Sequence, residues 1–344
     1  MRKRNMIAVF SIVFTVMLSS FTFYAYQIAY TPNVLVEAAP IKLTISHSTS
    51  FKELQNELSE RRFINDPVSF GFLAKLKKLD TNMKPGKYAL ASDMTNIQLI
   101  NLLKSGHQTP VNLTFSNARS LSQLSKKLAQ HLEIDSTQMA QLMLADSTAR
   151  RYGFEPHNFI AMFIPNTYQV YWTATPADIL DRLKREYDNF WSQERIQKAK
   201  NLNMSKKEVS TLASIVQGET NKMDEAPKIA GVYINRLRRG IPLQADPTLV
   251  YAIGDFSIRR ILNKDKAFDS PYNTYKHSGL PPGPINMPSI AALDAVLNYE
   301  GHDYLYFCAK EDFSGYHTFA KTLKQHNKNA IKFQKALNKE RIYR

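Results

Sequence analysis

The chain opens on an apolar run. From Met6 to Tyr30 there is no charged residue, and Arg2, Lys3 and Arg4 stand before it. A helix of that length reaches roughly 37 Å, enough to cross a hydrocarbon core of about 30 Å. Tyr24, Tyr26 and Tyr30 sit at its distal end, where aromatic side chains meet the membrane interface. Cations before the run and none just after it put the N-terminus in the cytoplasm. A cleaved signal peptide would end in small residues. The bulky Tyr-rich end favours an uncleaved anchor, and everything after Tyr30 then lies outside the cytoplasm. The pattern divides the chain into a cytoplasmic tail at 1–5, an anchor at 6–30 and a linker at 31–40.

Beyond the linker the apolar period changes repeatedly between strand and helix. Lys42-Leu43-Thr44-Ile45 alternates as a short strand. Ser50 precedes a helix with Phe51, Leu54 and Leu58 on one face, and Pro67 opens another with Phe70, Leu73 and Leu76. Lys84 to Leu90 reads as a turn entering a strand. Thr95 caps a helix that Gly106 ends. Residues 41–110 thus form a small α+β module. From 111 to about 203 the pattern is mostly helical, interrupted by Phe163-Ile164-Pro165-Asn166-Thr167-Tyr168, which by itself reads as a buried turn. A last helix carries Leu323, Ala330, Phe333 and Leu337 at helical spacing. The fold class is α+β, with a larger mixed domain over 111–344.

Charge narrows the partners. The net charge is +15, which draws polyanions such as anionic lipid, wall polymer or nucleic acid. No arginine-rich tract or RNA-binding signature accompanies it, so nucleic acid is not expected. The single cysteine, Cys308, excludes an intramolecular disulfide framework and a cysteine-built zinc site. His317 and His326 have no H-E-x-x-H partner, and there is no G-x-S-x-G, P-loop or dinucleotide fingerprint. No metal or cofactor is expected.

One acidic residue interrupts an apolar stripe. Ser205-Lys206-Lys207-Glu208 is a capping box, so a helix begins at Lys206. Val209, Leu212 and Val216 follow on one face, and the next step lands on Glu219. A carboxyl group facing the core loses water, which raises its pKa and keeps it protonated as a general acid requires. The other reading is a buried Glu paired with Arg236, Arg238 or Arg239. Gly218, just before it, leaves room for a substrate. A second helix runs from Ala226 to about Arg238, with Ile229, Val232 and Leu237 on its inner face. Asp246 before Pro247 reads as the N-cap of a third. Gln244 and Thr248 stand beside it. Four prolines and two glycines lie between Pro271 and Pro284, making a rigid loop that is neither helix nor central strand. Its Tyr272, Asn273 and Thr274 suit stacking on sugar rings and bonding sugar hydroxyls.

Several motifs recur together and in order: Leu212 to Thr220, Val232-Tyr233-Ile234-Asn235-Arg236-Leu237, Leu243-Gln244-Ala245-Asp246-Pro247-Thr248, and Tyr272-Asn273-Thr274-Tyr275 before Gly279 to Ile285. With Gly315-Tyr316-His317-Thr318-Phe319 and His326-Asn327 they resemble the YceG-like endolytic murein transglycosylases from the anchor to the tail. Two departures stand out. Where the family often has E-K-E-T, this chain has Gln217-Gly218-Glu219-Thr220, which leaves Glu219 as the acid. Asn166 replaces a common Asp.

The resemblance implies a LysM-like subdomain at 41–110 and a catalytic domain at 111–344. It implies lytic cleavage between N-acetylmuramic acid and N-acetylglucosamine in nascent peptidoglycan, leaving 1,6-anhydro ends and terminating strands. Glu219 would be catalytic. Gln244, Asp246, Thr248, Tyr272, Asn273 and Thr274 would line the groove, with Tyr306 and His317 as outer candidates. The implied setting is the inner membrane, beside the peptidoglycan synthases. A wall-binding scaffold with a dead site is the competing reading.

Overall fold

The computed structural model describes residues 2–35, 40–258 and 260–340. The chain divides into two compact units. The first comprises 1–112, 131–133 and 169–174; the second comprises the rest.

In the first unit α1 (Arg2–Tyr30) is the apolar helix, and its span from Lys3 to Tyr30 is long and apolar enough to cross a membrane. The segment read as a linker begins by packing. Pro32 bridges to Thr95 and Val34 to Ile64, and Asn33 is buried. The Asn33 side chain accepts from the Asp66 N–H at 2.7 Å and bonds Asn96 at 2.7 Å, so these residues belong to the module. Residues 36–39 lie outside the described part.

Strand β1 (Ile41–Ile45) pairs antiparallel with β2 (Gly86–Leu90), with α2 (Phe51–Glu60), α3 (Pro67–Leu76) and α4 (Leu79–Asn82) between them. Helix α5 (Asn96–Ser105) follows. The starts are fixed locally: Ser50 with Glu53 and Thr95 with Gln98 form capping boxes, and Asp66 caps the helix that Pro67 opens. Leu43, Ile45, Leu54, Leu58, Phe70, Tyr88 and Leu99 meet in one core.

The second unit starts in β3 (Val111–Phe115), followed by α6 (Leu121–Ala129), α7 (Ser136–Leu144) and α8 (Asp146–Arg151). Strand β4 (Asn166–Val170) pairs with β3. Then come α9 (Pro176–Phe190), α10 (Gln193–Asn201), α11 (Lys206–Glu219), α12 (Ala226–Arg238), α13 (Asp246–Ile253) and α14 (Ile290–Leu297). A hairpin of β5 (Tyr306–Ala309) and β6 (His317–Ala320) precedes α15 (Leu323–Lys339).

Helix α11 is the axis of this unit. Its residues from Val209 to Val216 are all buried, and α12, α13 and α14 pack against it. A helix buried on every side holds its last turn rigidly, and that turn carries Glu219. Ile229 and Val232 supply the inner face of α12. Gly218 has a different role from the one its sequence suggests. Although it borders the groove, a Cβ there would lie 2.8 Å from Cβ of Pro247, so the missing side chain lets α11 and α13 approach.

Candidate active site

Glu219 ends α11 on the wall of a groove that lies wholly within the second unit. The groove has three lobes of about 910, 580 and 380 Å³, and Glu219 lines all of them. Its side chain keeps an exposed edge on the groove while protein atoms crowd the carboxyl group. Burial pushes the Glu219 pKa up to about 7. The Tyr233 hydroxyl, which donates to Oε1 at 2.5 Å, opposes that rise, the Asp246 charge adds to it, and Arg236 lowers it. Among the described residues Glu219 makes no ion pair with Arg236, Arg238 or Arg239, so the paired-Glu reading does not hold.

Arg236 is engaged elsewhere. It is 8% exposed. Its Nε donates to Leu305 O at 2.6 Å, and its Nη1 to Leu243 O at 2.8 Å and Pro242 O at 3.2 Å. The guanidinium therefore ties α12 to the residue before β5 and to the turn before α13. Gln244 in that turn is left-handed, at φ 50°. A side-chain residue in that region is strained and is held there by its surroundings. Its N–H donates to Thr274 O at 3.0 Å.

The sequence-predicted groove residues separate by burial. Gln244 and Asp246 are exposed and line the groove. Thr248, Asn273 and Thr274 are 0%, 0% and 2% exposed and lie beneath it. Thr274 Oγ1 accepts from the Ala245 N–H at 3.0 Å and bonds Thr248 Oγ1 at 2.8 Å. Asn273 donates to Lys266 O and Phe268 O and accepts from the Tyr275 N–H, which closes the loop on itself. These three support the wall instead of facing a ligand, because burial beside α13 satisfies their polar atoms internally. Tyr272 packs its ring 4.8 Å from that of Tyr251, and it is Tyr251 that lines the largest lobe.

Asp246 is not the N-cap. Ala245 holds that position, Asp246 is the first helical residue, and no side chain caps the helix. The Asp246 carboxylate instead accepts the hydroxyl of Tyr275. Asn166 in β4 turns its Oδ1 back on the Thr167 N–H at 2.8 Å and lines none of the three lobes. Gln217, at the departed Glu position, fastens the chain at Asn286, Met287 and Ser289. Tyr306 and His317 both line the second lobe, as does His326. His317 Nδ1 lies 2.7 Å from the buried Glu225 carboxylate. Among the described residues no three of His, Cys, Asp and Glu gather closely enough to hold a metal ion.

Sequence reasoning missed Tyr233, Tyr275 and His326 as site residues. Each lies within or beside a motif quoted above, but no periodicity marks it.

The profile of the YceG-like family matches residues 43–332. The chain belongs to the YceG-like family. It is 28% identical over 316 residues to the endolytic murein transglycosylase of Bacillus subtilis strain 168, covering 87% of this chain and 86% of the relative. It is 29% identical to the endolytic murein transglycosylase of Streptococcus pneumoniae strain D39, covering 92% of this chain but 63% of that longer relative. Among solved structures, a yceG-like protein of Listeria monocytogenes superposes with a TM-score of 0.55 at 28% identity, covering 84% of this chain and 98% of that one. The YceG-like assignment spans both units, and the groove around Glu219 lies inside the matched region.

Removing the Tyr233 hydroxyl isolates its effect on the Glu219 carboxyl group. Tyr233→Phe takes away a donor that favours the ionised carboxylate, so the Glu219 pKa rises further. The alkaline limb of the pH–rate profile is expected to move to higher pH. A lost bond to a charged group costs about 1.5–3 kcal/mol, so kcat should fall on the order of tenfold or more. Steady-state kinetics across pH 5 to about 9 checks both.

Proposed function

We propose that this chain is a lytic transglycosylase that cleaves peptidoglycan within its glycan strands. The observation that carries the reading is one desolvated, protonatable carboxyl group, Glu219, placed where three lobes of a long groove meet. The names of its relatives in two organisms support the same activity.

The chemistry needs one such group. Protonated Glu219 gives its proton to the glycosidic oxygen as the C1–O bond of the muramic residue breaks, and the bond electrons leave with that oxygen. The resulting carboxylate takes the proton of the muramic C6 hydroxyl as O6 bonds to C1. Water does not enter, and the product is a 1,6-anhydro end. Ordinary hydrolysis needs a second carboxylate to manage water or a covalent intermediate. Asp246 lies on the groove, but its carboxylate is engaged by Tyr275. Tyr233 holds the Glu219 carboxyl group in place through both proton transfers.

The pH dependence follows from the sign of the shift. The acid form must be present at the start, and its pKa is raised to about 7. Activity is therefore expected to hold below that value and to fall tenfold per pH unit above it. A flat kcat/KM from pH 6 to about 9 contradicts Glu219 as the acid.

The finer reading follows the apolar helix α1. It supports a single-pass anchor in the inner (cytoplasmic) membrane, with the N-terminus cytoplasmic and the catalytic unit extracytoplasmic or periplasmic. In that setting the enzyme acts on nascent strands beside the synthases and terminates them. The antiparallel pair of β1 and β2, with the helices α2, α3 and α4 between them, supports a LysM-like module.

A further inference from the structure

The third lobe differs from the other two in its walls. Phe313 and Phe333 face each other across 6.1 Å on one side, and Lys222, Lys310, Tyr316 and His317 complete it. Phe313 is 46% exposed and left-handed, at φ 56°. A bulky side chain held in that conformation is strained, and such strain collects at binding sites.

The charges are unequal. Lys310 pairs with Asp312 at 3.3 Å. Tyr316 donates to Asp224 at 2.8 Å, and His317 engages Glu225. Lys222 sits over the Tyr316 ring, 5.2 Å from its centroid, and among the described residues it makes no ion pair. An unpaired ammonium group on an apolar lobe is complementary to an anionic chain with apolar side groups.

A three-way junction fits a branched polymer. The two larger lobes share Glu219 and Asp246, and the third joins them at Glu219. In peptidoglycan the peptide hangs from the muramic residue, whose C1–O bond is the one broken. The branch therefore leaves the strand within one sugar ring of the catalytic acid. Resting on the transglycosylase reading, we infer that the Lys222 lobe takes the acidic stem peptide, so that this enzyme prefers peptide-bearing strands to bare glycan.

The test uses binding, so it does not depend on turnover. Full-length Glu219→Gln protein in detergent is titrated with intact strands and with strands stripped of peptide by an amidase. The expected preference for intact strands is about tenfold, the worth of one charge-assisted contact. Adding Lys222→Ala should bring the two affinities together, whereas Lys335→Ala on α15 should leave the preference unchanged. Equal binding of both strands by the Glu219→Gln protein overturns the inference, as does an equal loss on both with Lys222→Ala. Failure of the transglycosylase reading itself shows separately, as absence of cleavage of either strand by the unsubstituted enzyme.

Discussion

Glu219→Gln is expected to abolish strand cleavage while leaving the fold intact. General acid–base catalysis contributes about 10²–10⁴-fold. In the proposed reaction one group serves both proton transfers, so the loss should reach the upper end of that range. Gln is close to Glu in size and keeps an acceptor for the Tyr233 hydroxyl 2.5 Å away. Stability should respond in the opposite sense. The Glu219 pKa is raised from 4.5 to about 7 by folding, so the folded state holds its proton longer than the unfolded one. Stability from this group is fully present below 4.5, declines as pH rises through about 7, and levels off above it. Glu219→Gln removes that decline. At pH 8 the variant should melt at or above the temperature of the parent, with the difference vanishing near pH 4. A variant that loses activity by unfolding would show a lower melting temperature at both pH values.

Arg236→Met is expected to give the largest stability loss of any single substitution at the site. The guanidinium satisfies three backbone carbonyls from two separate segments, Leu305 on one side and Pro242 and Leu243 on the other. Met fills similar space but leaves those oxygens without donors. At about 1–3 kcal/mol for each buried group left unsatisfied, the cost should be about 3 kcal/mol or more. For a unit of this size that lowers the melting temperature by roughly 6–12 °C. Lys should not rescue it, because one ammonium cannot reproduce the planar fork that reaches both segments. Activity should fall with stability, since the strained Gln244 turn and Asp246 lose their anchor. Thermal unfolding of Arg236→Met and Arg236→Lys at pH 7 checks this. A change below about 1 kcal/mol would mean that the tie from Arg236 to Leu305 and the Pro242-Leu243 turn is redundant.

What was legible in the sequence was chiefly what is local. The capping boxes at Ser50, Thr95 and Ser205 act within four residues, and each marks its helix start correctly. The stripe from Val209 to Glu219 lies on one helix, so its period alone placed the acid on the buried face. Contacts between distant residues left no such trace. Tyr233 reaches Glu219 from another helix, fourteen positions on. Asp246 reads as a cap because a carboxylate before Pro usually serves one. Tyr275, twenty-nine residues away, draws it off instead, and Thr274 takes the Ala245 N–H. Asn273 and Thr274 have the polar character of sugar ligands, but the same atoms satisfy the loop once it folds. Side-chain chemistry names the candidates, and only burial separates a wall residue from its support.

The products decide which reaction takes place at Glu219. The enzyme should be incubated with purified peptidoglycan strands and the fragments read by mass spectrometry. Fragments ending in 1,6-anhydro muramic residues, absent with Glu219→Gln, are the expected result. Reducing ends, 18 Da heavier by one water, would contradict it and would point to hydrolysis with Asp246 as a second carboxylate. Intact strands from folded enzyme would contradict it in favour of a binding scaffold.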